Sequence, residues 1–196
     1  MSIRRHRQSG LTFIELILFI IIVGIAAAAI LRTLANSSNT SADPLRRKQA
    51  LLIAEALLEE VQLAAFTFCE PTDTTENPAA PANCATPEAV GPELALGNAR
   101  PFDNINDYVP SLDVPYAAFN NAAGKLVDAA GNDLGVGGYS ATLTLRAEPL
   151  NGINSTAAVA TQEVLRLTVR VTHGPQATDF VELDTYRTRH SPQVAQ

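Results

Sequence analysis

Few side chains in this 196-residue chain are of a type, and at a spacing, that could do chemistry. Glu15 is a carboxylate set inside an otherwise apolar run, LTFIELILFIIIVGIAAAAIL. A charge there costs about 2.5 to 3.5 kcal/mol if it sits centrally in a bilayer, so Glu15 needs either a cationic partner or a proton. Cys69 and Cys84 flank a segment rich in Pro, Thr, Asn and Ala. They read as a disulfide in an oxidising compartment and as two free thiols elsewhere. Export, argued below, favours the disulfide, whose loop closure stabilises by about 3 kcal/mol. Asp103, Asn104, Asn106 and Asp107 offer oxygens to a hard cation, but no Gly marks the turn and no Glu closes the loop, as a calcium loop requires. Local Asx turns suit these residues better, which leaves Asp103 and Asp107 as weak metal candidates. His6, His173 and His190 have no Cys or Ser partner in a recognisable motif. No GxxxxGK phosphate loop occurs, and Gly135, Gly137 and Gly138 are turn glycines. The expectation is a protein that is not an enzyme and carries no cofactor.

The elements that must position these groups begin with residues 11–31, which as a helix extend about 31 Å, the thickness of a bilayer core. A cleaved signal peptide is the rival, helped by the small residues Ala26 to Ala29. The run is longer than the usual h-region of about 7 to 15 residues, and Glu15 is foreign to one. Arg4, Arg5 and Arg7 precede the span and only Arg32 follows it closely. This charge asymmetry predicts a single-pass protein of the inner membrane with a cytoplasmic N-terminus and a periplasmic C-terminal domain. The net charge of -6 argues against nucleic acid as a partner.

After the span, residues 36–41 form a polar stretch poor in helix formers, and Asp43-Pro44 predicts a helix restart with Asp43 as N-cap. Ala50, Ile53, Ala54, Leu57, Leu58, Val61 and Ala65 then repeat with the period of an amphipathic helix. Arg46, Arg47 and Lys48 lie between the two, either as a solvated face or against lipid phosphates or an acidic neighbour. Seven prolines between Phe66 and Leu112 predict loops. Three segments, 139–148, 162–173 and 179–189, alternate with period two and predict antiparallel strands, the last two joined by a turn at His173-Gly174-Pro175-Gln176. Gly124 to Gly138 has the composition for a short hairpin. The fold expected is α+β: a long N-terminal helix packed on a small antiparallel sheet. Its parts are a leader at 1–10, a membrane helix at 11–35, an amphipathic half at 36–67, loops at 68–138 and the sheet at 139–190.

The string GLTFIEL at Gly10 to Leu16, behind a basic leader, resembles the processing site of type IV prepilins and the related pseudopilins of type II secretion. The resemblance implies cleavage after Gly10 by a prepilin peptidase and N-methylation of Leu11. It also implies that Glu15 meets the free α-amino group of a neighbouring subunit and so helps set filament register. Leu11 is a departure, since Phe or Met is commoner there. RPFDNINDY, GYSATLTL, EVLRLTVRVTH and YRTR, in that order, look like the minor pilins of mannose-sensitive haemagglutinin pilus systems. Minor pseudopilins share part of this pattern. What the resemblance implies is a low-abundance subunit that passes from the inner membrane into a surface pilus and takes part in its initiation or assembly. Its partners would be the peptidase and other major and minor pilins, with an adhesive tip role as an alternative.

Overall fold

The computed structural model describes residues 12–76, 78–92, 100–176 and 178–189, with the backbone alone described over 35–43. Two compact units divide the chain, Met1–Leu45 and Arg46–Gln196. The backbone is helical from Phe13 to Leu63 (α1), with Pro44 inside it. This corrects the expected break and restart at Asp43-Pro44. Proline removes one i→i−4 hydrogen bond and costs about 3 kcal/mol, yet nucleating a second helix is also unfavourable, whereas propagation adds a bond per residue. Good helix formers follow Pro44, and the long apolar helix before the polar stretch is already nucleated, so propagation carries the helix through both.

In the first unit, Phe13–Leu34 is 22 residues long, has a mean hydropathy of 3.0 and contains no buried residue. It is long and apolar enough to cross a membrane. Thr33 bonds back to the Ile30 carbonyl (2.8 Å), which satisfies its hydroxyl within the helix.

In the second unit α1 shows most of the predicted stripe, with Ile53 partly buried and Ala64, just past the helix end, buried in place of Ala65. Ala50, Ala54, Leu57, Leu58, Val61 and Ala64 are buried in one cluster with the inner face of a three-stranded sheet. That sheet is antiparallel in the order β1 (Ser140–Ala147), β2 (Val164–Thr172), β3 (Phe180–Thr188). Leu143 faces Val169, which faces Leu183, and Leu145 faces Leu167. The opposite face carries Thr144, Thr168 and Asp184 in register, so period-two alternation was the right signal. Each large side chain in the cluster contributes about 1.5 to 3 kcal/mol through burial. The β2–β3 turn closes on Asp179, whose carbonyl accepts from His173 N (2.8 Å) and whose carboxylate accepts from Gln176 N (2.9 Å).

Loop residues complete the core, with Ile105, Tyr108, Val109, Phe119 and Leu126 all buried. The free edge of β1 is covered by the chain before it: Tyr116 and Leu143 exchange both backbone bonds at 2.8 Å. The hairpin expected within 124–138 is instead a series of tight turns with isolated bridges, Asn120–Leu126 and Val127–Asp133. Asn121, Asp128 and Asp133 each accept backbone N–H bonds from residues two or four ahead. Side-chain competition of this kind favours turns over a strand ladder.

Candidate functional site

Glu15 lies in the first turn of α1, and its backbone N–H reaches Thr12 Oγ1 at 3.4 Å. Its neighbours Phe13, Ile14 and Leu16 are exposed, as is every large apolar side chain to Leu34. A surface this apolar is suited to contact with lipid or protein, not with water. Gly10 and Leu11, the expected processing site, lie outside the described residues, as do His6 and His190.

Cys69 and Cys84 are joined as a disulfide with Cα atoms 5.4 Å apart. Asp73 lies inside the loop it closes. Its two oxygens accept from Thr75 N (2.8 Å) and Thr86 N (2.6 Å), which ties one wall of the loop to the other. The Thr86 bond leads the causes that hold the Asp73 carboxyl below the usual carboxylate range. Sγ of Cys69, Sγ of Cys84 and a carboxylate oxygen of Asp73 lie within 4.8 Å of one another. The sulfurs are bonded to each other, so they are not the thiolates that a metal would need.

The RPFDNINDY segment forms a short 3-10 turn, Ile105–Tyr108, behind a reciprocal cap. Asn104 Oδ1 accepts from Asn106 N (3.3 Å), and Asp107 Oδ2 accepts from Asn104 N (3.2 Å). Asn104 Nδ2 donates to Thr67 Oγ1 and Asn106 Nδ2 to Gln162 Oε1, both at 3.1 Å. Backbone bonds Ala65 N to Asp103 O (2.8 Å) and Ile105 N to Ala65 O (2.9 Å) attach the turn to the end of α1. The two weak metal candidates are therefore in different surroundings: Asp107 is buried and engaged in the cap, and Asp103 is exposed.

Two features had no signal in the sequence. The first is a buried ion pair between α1 and this loop. Arg100 Nε and Nη2 donate to the two Glu60 oxygens at 2.6 and 2.7 Å, and both side chains are nearly withdrawn from solvent (8% and 12% exposed). Tyr108 Oη donates to Glu60 Oε1 (3.1 Å). Burial, then the Glu60 charge, push the Tyr108 phenol well above its ordinary value, so it stays a donor. The Arg100 guanidinium also lies 5.0 Å from the Phe119 ring centre. A related arrangement seats Arg189 against Phe66 and Phe68, 4.2 and 4.0 Å from the ring centres. Burial there lowers its pKa to about 10.

The second is a groove of about 780 Å³ along the exposed side of α1. Leu52, Ile53, Leu63, Phe102, Val127 and Leu134 line it, with Glu59, Asp103 and Asp128 among its polar residues. Leu63 is 81% exposed and Leu52 56%, values that mark a surface without a partner in this chain. No family model, curated protein or solved structure matches the chain.

Proposed function

We propose that this chain is a subunit of a type IV pilus-like filament, anchored in the inner membrane by 11–35 until a prepilin peptidase removes residues 1–10. The observation that carries the reading is a helix apolar on every side, interrupted by the lone carboxylate Glu15, behind a basic leader that ends in Gly10. Lipid and the helices of other subunits are chemically similar surroundings for such a surface. The carboxylate is the one group that distinguishes them, because an α-amino group at a neighbour's N-terminus would neutralise it. The α+β layering of a helix on a small antiparallel sheet supports the same reading. The finer assignment, to the D-type minor pilin of a mannose-sensitive haemagglutinin pilus, rests on the strings RPFDNINDY, GYSATLTL and EVLRLTVRVTH. A minor pseudopilin of a type II secretion system has the same physics.

A binding role at the filament tip is the second reading, and the groove beside α1 is the observation that favours it, since a concave apolar surface suits a ligand. The deciding experiment for the first reading is intact mass and N-terminal analysis of the membrane-extracted chain, with and without prepilin peptidase. An N-methylated Leu11 start supports the filament. A start beyond Ala29, or an uncut chain, removes it.

A further inference from the structure

The groove beside α1 has one sign of charge around an apolar lining. Glu59 and Asp103 are exposed and form no ion pair among the described residues. Asp128 is kept ionised by the Asn132 N–H bonds it accepts. The one cation in the lining, Arg100, is already matched by Glu60. The complement for this rim is therefore a positively charged segment with apolar neighbours.

The chain itself carries such a segment. Arg46, Arg47 and Lys48 are exposed, form no ion pair among the described residues and are followed, after Gln49 and Ala50, by Leu51 and by Leu52, the latter also part of the groove lining. They belong to the same unit as the groove. Within one copy the trio makes no ion pair with this rim: the lining begins beside it at Gln49, but Lys48 stands about 17 Å from Glu59 along the axis of α1 at 1.5 Å per residue. A second copy, shifted along the axis, can bring the two charges together. We infer that the groove of one copy receives the Arg46-Arg47-Lys48 shoulder of a second copy, with the basic trio against Glu59, Asp103 and Asp128 and apolar side chains filling the space between. Two different patches meet in this contact, so it is heterologous, and its repetition gives a ring or an open helical array. The inference rests on the filament reading for its purpose, since a filament is built from repeated heterologous contacts.

A zero-length carbodiimide cross-link tests it without altering the protein. Lys48 and Lys125 are the only lysines in the chain, and Lys125 is occupied by Asp133 at 2.8 Å. The full chain is mixed as equal parts ¹⁵N-labelled and unlabelled protein in lipid nanodiscs holding two or more copies, coupled, and mapped by mass spectrometry. The expected product is a mixed-isotope amide between Lys48 and Glu59, Asp103 or Asp128. Glu59→Lys with Asp103→Lys should reduce it by about tenfold, on the scale of charge-pair losses at interfaces. Adding Arg47→Glu and Lys48→Glu to that variant should restore coupling with the ends reversed. Links from Lys48 to other carboxylates only, no mixed-isotope link, or no restoration by the reversed pair would each overturn the contact. N-terminal analysis of the same samples separates the two ideas. A Leu11 start without the link removes this contact and leaves the filament. The link on a chain that is never processed does the reverse.

Discussion

Glu60 and Arg100 meet through two parallel hydrogen bonds of 2.6 and 2.7 Å, forty residues apart in sequence and almost out of water. Glu60 comes from α1 and Arg100 from the loop that leads into the capped turn, so the pair fastens one to the other. Breaking a buried pair on one side leaves an uncompensated charge and costs about 3 to 5 kcal/mol, whereas replacing both partners by apolar residues is often neutral. Arg100→Ala should therefore lower the denaturant midpoint sharply, while Glu60→Leu with Arg100→Met should recover most of the loss. A double variant as unstable as the single one would show that the pair stabilises by more than mutual neutralisation. Urea unfolding followed by tyrosine fluorescence makes the comparison.

The Cys69–Cys84 loop carries a second expectation. Replacing both cysteines by serine should cost about 3 kcal/mol through the greater freedom of the unfolded chain. A change in denaturant midpoint well under that would mean that Asp73, by bonding Thr75 and Thr86, already closes the loop without the sulfurs.

Acid should act on the same loop and on the outer face of the sheet. Asp73 is held below its ordinary pKa chiefly by the Thr86 N–H, and Asp184 chiefly by the Arg166 guanidinium, 2.8 Å away. A carboxylate whose folded pKa is depressed adds stability above its unfolded value of about 3.9 and loses it as pH falls through the folded one. Stability should be level from about pH 7 to 5 and decline below about pH 4. Hydrogen exchange at Thr75 and Thr86 should accelerate in the same range, after correction for intrinsic rates. Asp184 is exposed and Asp73 only half-buried, so the slope should be shallow. Asp184→Asn should make it shallower still.

Asn104 uses both ends of its side chain in the RPFDNINDY turn, accepting from Asn106 N and donating to Thr67. It is fully buried. Asn104→Ala should cost about 1 to 3 kcal/mol, because partners are left unsatisfied inside the fold. Asn104→Asp keeps the acceptor but buries an unpaired charge beside Asp107, so it should be at least as destabilising as Asn104→Ala in thermal unfolding.

Glu15→Leu tests the proposed role of the carboxylate. Membrane insertion, read by carbonate extraction, should be unchanged or improved, while incorporation into filaments should fall. Normal incorporation would sink the register argument and leave Glu15 as a residue that is simply protonated in lipid.

Much of the fold was legible because it is written in short periods. Leu165, Leu167, Val169 and Val171 alternate with Arg166, Thr168 and Arg170, and the strand they predict differs from β2 by one or two residues at each end. The apolar stripe from Ala50 to Val61 likewise packs as its spacing requires. Pro44 misled because a local cap signal was weighed without the cooperativity of the helix on either side of it. The Gly-rich segment before β1 suggested a hairpin from composition, whereas its Asn and Asp side chains take the backbone donors that a ladder would have used. Glu60, Arg100 and the groove could not be read at all. Each belongs to a segment that is ordinary by itself, an amphipathic helix or a proline-rich loop, and the site exists only where the two come together. The expected cleavage after Gly10 rests on the motif alone, and its test lies in N-terminal analysis of the chain.

The bare helix of the first unit has a consequence for supply. Its surface gains little by exchanging acyl chains for the side chains of neighbouring helices, since both are hydrocarbon of similar cohesion. On the proposed filament reading, moving such a subunit between bilayer and polymer would be nearly isoenergetic over most of its apolar length. The membrane would then be a reservoir from which subunits are drawn and to which they can be returned, with small local interactions deciding the direction of traffic.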